Sequence, residues 1–398
     1  MKVKGFTAAA VQAGIRYQDR LDLGLIYSEV PAVTVGMFTT NTVQAAPVVL
    51  GKKRLLDGKA QAVLVNSGNA NACTGEQGME LALRTGSLLA NALGIDEELV
   101  QIASTGVIGE SLDIEPFVRA VPGLAASLKE DGFDDLALAI MTTDTVPKTS
   151  SSTVEINGVP VNLQGVAKGS GMIMPNMATM LCFVVTDARI AFSTLHEIVK
   201  TGVEQSFNLI TVDGDTSTND TVLVMANGAA ENHCIDEDID DENQESIKVF
   251  TEALHKLFKD LALQIVSDGE GTTKVVTIRV VGAKSRKEAM NAAQTIANSA
   301  LVKTAFFGED ANWGRIIAAL GRSECQFQPD RVSIAFDDAV MVENGLGCGK
   351  EAEKKASKVL QQKEFTVTVD LRNGNEGAEV FTTDLTCDYV NINADYRS

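Results

Sequence analysis

Histidine is almost missing from this chain: only His196, His233 and His255 occur in 398 residues. His233 sits in an acidic stretch and the other two fall on expected helices, so metal binding and histidine-based catalysis have few candidates. Cysteine is scattered. Cys73, Cys182, Cys234, Cys325, Cys348 and Cys387 lie far apart with no CxxC spacing, which fits reduced thiols in a cytosol better than a disulfide framework or a zinc site. Long apolar runs are missing too. No stretch reaches about 18 consecutive apolar residues, so no spanning helix is expected. The N-terminal MKVKGFTAAAVQAGIRYQDR lacks the apolar run of a signal peptide. Basic charge is in deficit, with 34 Lys and Arg against 53 Asp and Glu and a formal net charge of −19. Neutralising phosphates needs surplus Lys and Arg, so nucleic acid is disfavoured as a partner, and so is an anionic membrane. The expectation is a cytoplasmic protein.

What is present is a large apolar fraction, 45%, enough for a sizeable core and against disorder. Periodicity alternates between strand and helix throughout. Residues 63–66 read as a strand running into the small-residue loop SGNANACTG, and 79–93 as a helix stopped by Gly94. Residues 100–103 read as a strand leading into Ser104-Thr105-Gly106. Asn157-Gly158, between alternating residues over 153–163, predicts a two-residue hairpin. Residues 180–186 read as a buried strand. Helix faces follow at Leu195, Ile198, Val199 and Val203, and from Ile247 to Ile265. Residues 275–281 read as a β-branched strand. Ser285 with Glu288 predicts a capping box for a helix reaching about Leu301. Residues 365–371 and 380–385 read as an antiparallel pair, and the acidic run 231–242 as a solvated loop. The class is α/β or mixed α+β, without repeats or linkers.

The densest segment is KGSGMIMPNMATMLCFVVTD at 168–187. Glycines, Pro175 and Asn176 crowd in just before a threonine that opens a buried strand. One chemical use is self-cleavage. The threonine hydroxyl attacks the preceding carbonyl, the resulting ester hydrolyses, and a new N-terminal threonine is left. Its α-amine, with an ordinary pKa of about 7.7–8.0, can then serve as base for its own hydroxyl. Histidine is not needed. The plain alternative is a strand-initiating loop. A third reading is a Ser170–Lys168 dyad, because an i, i+2 pair in a strand shares one face. Nucleotide binding is a weak rival: residues 168–171 lack GK[ST], and Gly345, Gly347 and Gly349 do not complete GxGxxG.

The run KGSGMIMPNMATML closely resembles the cleavage segment of the ornithine acetyltransferase family, the glutamate N-acetyltransferases of arginine biosynthesis. Matching segments follow in order over nearly the whole chain: VNSGNANACTG (65–75), STGVIGE (104–110), MTTDTVPK (141–148), SDGEGTTK (267–274), GEDANWGRI (308–316) and INADYRS (392–398). Met174 departs from the pattern, where a smaller residue such as alanine is expected. The resemblance implies a DmpA/ArgJ-like layered sandwich of mixed sheets flanked by helices, an N-terminal nucleophile enzyme. It implies cleavage between Ala178 and Thr179 into chains 1–178 and 179–398, with Thr179 as nucleophile and Thr105 and Gly106 as oxyanion hole. It assigns Thr142, Lys168, Thr179, Glu270, Asn393 and Ser398 to substrate binding. It further implies transfer of acetyl from N2-acetyl-L-ornithine to L-glutamate, an assembly of two copies of each chain, and no metal or other cofactor. Acetyl-CoA is a donor substrate in some members and not in others. A related amidohydrolase or aminopeptidase, with water as acceptor, is the enzyme alternative. Each motif residue also has a plain reading: a turn at Thr105-Gly106, a solvated Lys168, a loop-tip Glu270, capping threonines at 142–145, and a terminus at Asn393 and Ser398. Trp313 reads as core packing.

Overall fold

Strands whose every residue is apolar need cover on both faces, and that requirement organises this molecule. A computed structural model describes residues 1–174, 180–236 and 241–395. Two units are present, residues 1–208 with 215–265 and residues 209–214 with 266–398.

The first unit carries β1 (Phe6–Val11), β2 (Leu23–Phe38), α1 (Ala46–Arg54), β3 (Lys59–Asn66), α2 (Gly75–Leu93), β4 (Val100–Ser104), α3 (Glu115–Ala126) and α4 (Phe133–Ala139). It continues with β5 (Lys148–Ile156), β6 (Val159–Lys168), β7 (Leu181–Thr186), α5 (Phe192–Glu204), β8 (Thr221–Ala226) and α6 (Asp241–Ser267), which belongs to it up to Ile265. The strand order is β4-β3-β2-β8-β7-β6-β5, with β1 also on β2. β2 is the hinge of this arrangement. Its first half pairs with β1 and its second half with β8, and its register against β3 shifts between Tyr27 and Ala32, around Pro31. The sheet is thereby divided into two layers. One core joins Ile26, Val63, Val65 and Ala103 to Val166, Phe183, Leu223 and Met225, so the two halves pack face to face. The outer side of β2–β4 packs on Leu89, Phe117, Val121 and Leu124 of α2 and α3. The outer side of β6 lies against Leu257 and Leu261 of α6, where a Cβ on Gly165 would crowd both. The order helix, sheet, sheet, helix is the layered sandwich expected.

The second unit carries β9 (Val275–Ala283), α7 (Arg286–Ala297), α8 (Ala300–Phe307), α9 (Trp313–Gly321), β10 (Ser333–Phe336), β11 (Ala339–Glu343), β12 (Leu346–Gly347), α10 (Lys350–Leu360), β13 (Glu364–Asp370), β14 (Glu376–Thr383) and α11 (Cys387–Ala394). Its sheet runs β12-β11-β10-β13-β9-β14 and packs on α7, α9 and α10, with Trp313 against that core.

Three local expectations are corrected here. The strands at 365–371 and 380–385 are not a pair. β9 lies between them, parallel to β13 and antiparallel to β14, because its alternating Val276, Ile278 and Val280 offer both edges a matching buried face. The helix after Ser285 stops at Ala297, and Leu301 belongs to α8. Asn298, at the break, takes a hydrogen bond from Thr211 Oγ1 (2.7 Å). The Ser285 oxygen accepts from the Glu288 N–H as expected, but Glu288 Oε2 has no partner among the described residues, so half of the capping box forms. The acidic run is not one solvated loop. Ile235 is buried and bridges to Ile190, Asp241 and Glu242 open α6, and 237–240 lie outside the described residues.

Candidate functional site

β4 and β6 end close together, and the polar residues that follow them converge. At the end of β4, Ser104 Oγ donates to Asn66 Oδ1 (2.7 Å), and Asn66 Nδ2 donates to the Asn69 carbonyl (2.9 Å). Asn219 ties the same loops from another side, donating to the Ser104 carbonyl (2.8 Å) and to that of Ala70. This frame holds Thr105 and Gly106. Gly106 has φ +135°, and a Cβ there would overlap the Gly68 carbonyl. Only glycine fits. The loop SGNANACTG is thus a scaffold for the turn beside it.

Lys168, the last residue of β6, is 8% exposed. Its ammonium donates to Thr142 Oγ1 (2.9 Å) and lies 3.4 Å from Thr105 Oγ1. The solvated-lysine reading is therefore excluded. Behind it sits Asp144, whose side chain is fully buried. Asp144 Oδ1 accepts from Lys148 Nζ (2.7 Å) and from the Gly169 N–H (2.7 Å), and Oδ2 accepts from the Thr142 N–H (2.9 Å). Lys168 Nζ is 4.0 Å from Oδ2. Burial pushes the Asp144 carboxyl up, but Lys168, Lys148 and the Thr142 N–H outweigh it and hold its pKa at about 2. Asp144 is an anion at any physiological pH.

Asp220 has the opposite character. It precedes β8 and is 1% exposed. Burial drives its carboxyl well above the ordinary range in spite of hydrogen bonds from Ser217 and Thr39 and the charge of Lys168. Its Oδ2 has no hydrogen-bond partner among the described residues. In the parallel pairing of β7 and β8, Leu181 faces Thr221, so Asp220 lies opposite Met180.

In the second unit the motif SDGEGTTK folds onto α11. Thr386 caps that helix, accepting from the Tyr389 N–H (3.2 Å) and donating to the Gly271 carbonyl (2.8 Å). Asn393 Nδ2 donates to Glu270 Oε2 (2.8 Å). Glu270 is 8% exposed, so it is not a loop-tip charge.

The expected site residues therefore fall into groups. Thr105, Gly106, Thr142 and Lys168 meet in the first unit, and Glu270 meets Asn393 in the second. Ala178, Thr179 and Ser398 lie outside the described residues. Sequence reasoning missed Asp144, Lys148 and Asp220. Asp144 and Lys148 stand inside the motif MTTDTVPK, and their i, i+4 spacing is the only signal of the pairing.

An α/β/β/α sandwich with a buried lysine, threonine and carboxylate cluster at converging strand ends defines an enzyme with a polar small-molecule site. The ArgJ family model matches residues 7–398. The chain is 56% identical over 398 residues to the arginine biosynthesis bifunctional protein ArgJ of Desulfotalea psychrophila, and 53% identical over 398 residues to that of Syntrophotalea carbinolica. In both cases 100% of each chain is covered. A crystal structure of the Bacillus halodurans protein of the same name matches with 42% identity and a TM-score of 0.49, covering 53% of this chain and 97% of that one. The chain belongs to the ArgJ family, and the expectation of an acetyltransferase enzyme of arginine biosynthesis is met. Among the described residues, no helix is long and apolar enough to cross a membrane.

Proposed function

We propose that this chain cleaves itself between Ala178 and Thr179 and then moves acetyl from N2-acetyl-L-ornithine to L-glutamate through an acetyl ester on Thr179. The observation that carries this reading is the buried Lys168 ammonium set between the Thr142 and Thr105 hydroxyls. A buried point charge flanked by donors suits the α-carboxylate of an acetylated amino acid. Thr105 and the Gly106 N–H would receive the oxyanion formed when Thr179 attacks the acetyl carbonyl, and such a donor is worth about 3 kcal/mol. The α-amine released at Thr179 takes the hydroxyl proton and returns it to the leaving ornithine amine. Ornithine leaves before glutamate enters, which is a ping-pong cycle. Glu270, with Asn393 beside it, suits the side-chain ammonium of ornithine, and Ser398 completes the substrate contacts. Acetyl-CoA as an additional donor would enter at the acetylation step.

Cleavage would give chains 1–178 and 179–398, and the reading extends to two copies of each in the cytoplasm. A cut there falls between β6 and β7, so β7 and β8 of the second chain would stay hydrogen-bonded between β6 and β2 of the first. The chains would be interwoven.

The test is intact mass under denaturing conditions together with acceptor dependence. Two chains beginning at Met1 and Thr179, and loss of N-acetylornithine that requires glutamate, are expected. A single uncleaved chain with full activity would falsify the amine-as-base mechanism, and acetate release without glutamate would make the enzyme a hydrolase.

A further inference from the structure

Glu270 stands between Gly269 and Gly271, the least rigid setting a sequence offers a side chain. Asn393 is the one hydrogen-bond partner of its carboxylate among the described residues. The position of Glu270 must therefore come from how its loop is held, and the segment after β14 holds it. The ladder of β14 on β9 ends with Thr383 opposite Val275. Asp384, the next residue and 4% exposed, extends the grip into the loop. Its Oδ1 accepts from the N–H groups of Thr273 (2.9 Å) and Lys274 (3.0 Å), and its Oδ2 accepts from the Thr273 hydroxyl. Its own N–H donates to the Lys274 carbonyl (3.3 Å). Thr386 takes the Gly271 carbonyl and Asn393 takes Glu270 itself. Asp384 is in turn fixed from α8. Lys303, 4% exposed, donates to Thr382 Oγ1 (3.2 Å), the Thr383 carbonyl (2.5 Å) and Thr383 Oγ1 (2.9 Å), and its carbonyl accepts from the Leu385 N–H (3.2 Å). A buried carboxylate that accepts this many hydrogen bonds is a stiff clamp, because releasing any of them leaves desolvated charge without a partner.

We propose that Asp384 is the positioning residue that sets the Glu270 carboxylate for the side-chain ammonium of ornithine. This inference rests on the ammonium role given to Glu270 above. A carboxylate that swings with a glycine-flanked loop loses entropy when it orders around its ligand, whereas one already held does not. Alanine at 384 removes every side-chain contact to residues 273 and 274 and leaves the loop to its glycines. Asparagine keeps the grip without the charge: its Oδ1 accepts from the N–H groups and its Nδ2 donates to the Thr273 hydroxyl.

The experiment compares N-acetylornithine with N-acetylnorvaline, which keeps the α-carboxylate, the acetyl amide and the side-chain carbons but has no ammonium. Glutamate is the acceptor, and rates are taken per cleaved chain, with cleavage measured by intact mass. Wild type is expected to favour N-acetylornithine in kcat/KM, and Glu270→Gln is expected to lose most of that preference. Asp384→Ala should reduce it by about tenfold, chiefly through KM for N-acetylornithine, with little change for N-acetylnorvaline. Asp384→Asn should keep most of it. In the Glu270→Gln background, Asp384→Ala should lower the preference no further, because it acts through Glu270. Thr273→Val removes only the hydroxyl bond to Asp384, from an exposed residue. It should lower the preference about threefold and is the deciding variant if Asp384→Ala fails to fold or cleave. A wild-type enzyme without the preference, or one that keeps it in Glu270→Gln, would overturn the role of Glu270 and this inference with it. A preference that Glu270→Gln loses but the Asp384→Ala and Thr273→Val variants keep would overturn the inference alone. So would a loss in Asp384→Asn as large as in Asp384→Ala, since the charge of Asp384 and not its grip on the loop would then set the preference.

Discussion

Gly106 shows how little freedom the site allows. Its φ of +135° and the Gly68 carbonyl against it exclude any Cβ, so Gly106→Ala should displace the turn that carries Thr105. Thr105→Val keeps shape and removes the hydroxyl. Its kcat is expected to fall about 10²- to 10³-fold with a small change in KM, the signature of a donor used in the transition state. Steady-state kinetics on fully cleaved protein measures it, and a change confined to KM would make Thr105 a binding group instead. The motif marked Thr105 and Lys168 as special, because hydroxyl, glycine and lysine are legible letters. Their company was not legible. Asp144 could have been a turn residue and Lys148 a surface lysine. Only the burial of both side chains shows that they form one ionic cluster.

The hairpin at Asn157-Gly158 was readable because two consecutive positive φ values, 49° and 80°, demand this residue pair. The helix stop at Gly94, φ 68°, follows from the same steric rule. Strand partnership is different. β13 and β14 carry equally good alternating patterns, and nothing local says that β9, about ninety residues earlier in the chain, lies between them. α11 depends on a tertiary contact in the same way. Gly271 has φ +66°, and a Cβ there would strike the Tyr389 N–H and Thr386 Oγ1. Gly271→Ala should therefore shift α11 and with it the Asn393–Glu270 bond. The expected result is a raised KM for N-acetylornithine with retained cleavage. An unchanged KM would separate α11 from substrate binding.

For the molecule as a whole, stability should carry the imprint of two buried charges. Burial pushes the Lys303 ammonium down to about 7, against the opposing pull of Asp384 and Asp213. The unfolded lysine titrates near 10.4, so between about pH 7 and 10 the unfolded chain binds more protons, and this residue makes stability rise with pH. Asp144 acts at the other end. Its folded pKa of about 2 lies below the unfolded value, so its contribution is full above about pH 4 and is lost as pH falls toward 2. Denaturant titrations across pH should show a rise from pH 7 to 9 in wild type that flattens in Lys303→Met. An equal slope in both would assign the rise to other groups.

The chain by itself determined its class, its local turns and helix ends, and its membership of a family, because those depend on steric rules and on the order of motifs. It also indicated that catalysis would have to manage with three histidines. Tertiary structure decided what no spacing encodes: that β2 bends to stack two sheet layers, that β9 separates β13 from β14, and that Asp144 is buried between Lys148 and Lys168 while Lys168 donates to Thr142. The physical reason is range. Backbone sterics act over two to four residues, whereas pairing, burial and the electrostatics of a dry cluster depend on groups brought together from dozens of residues apart.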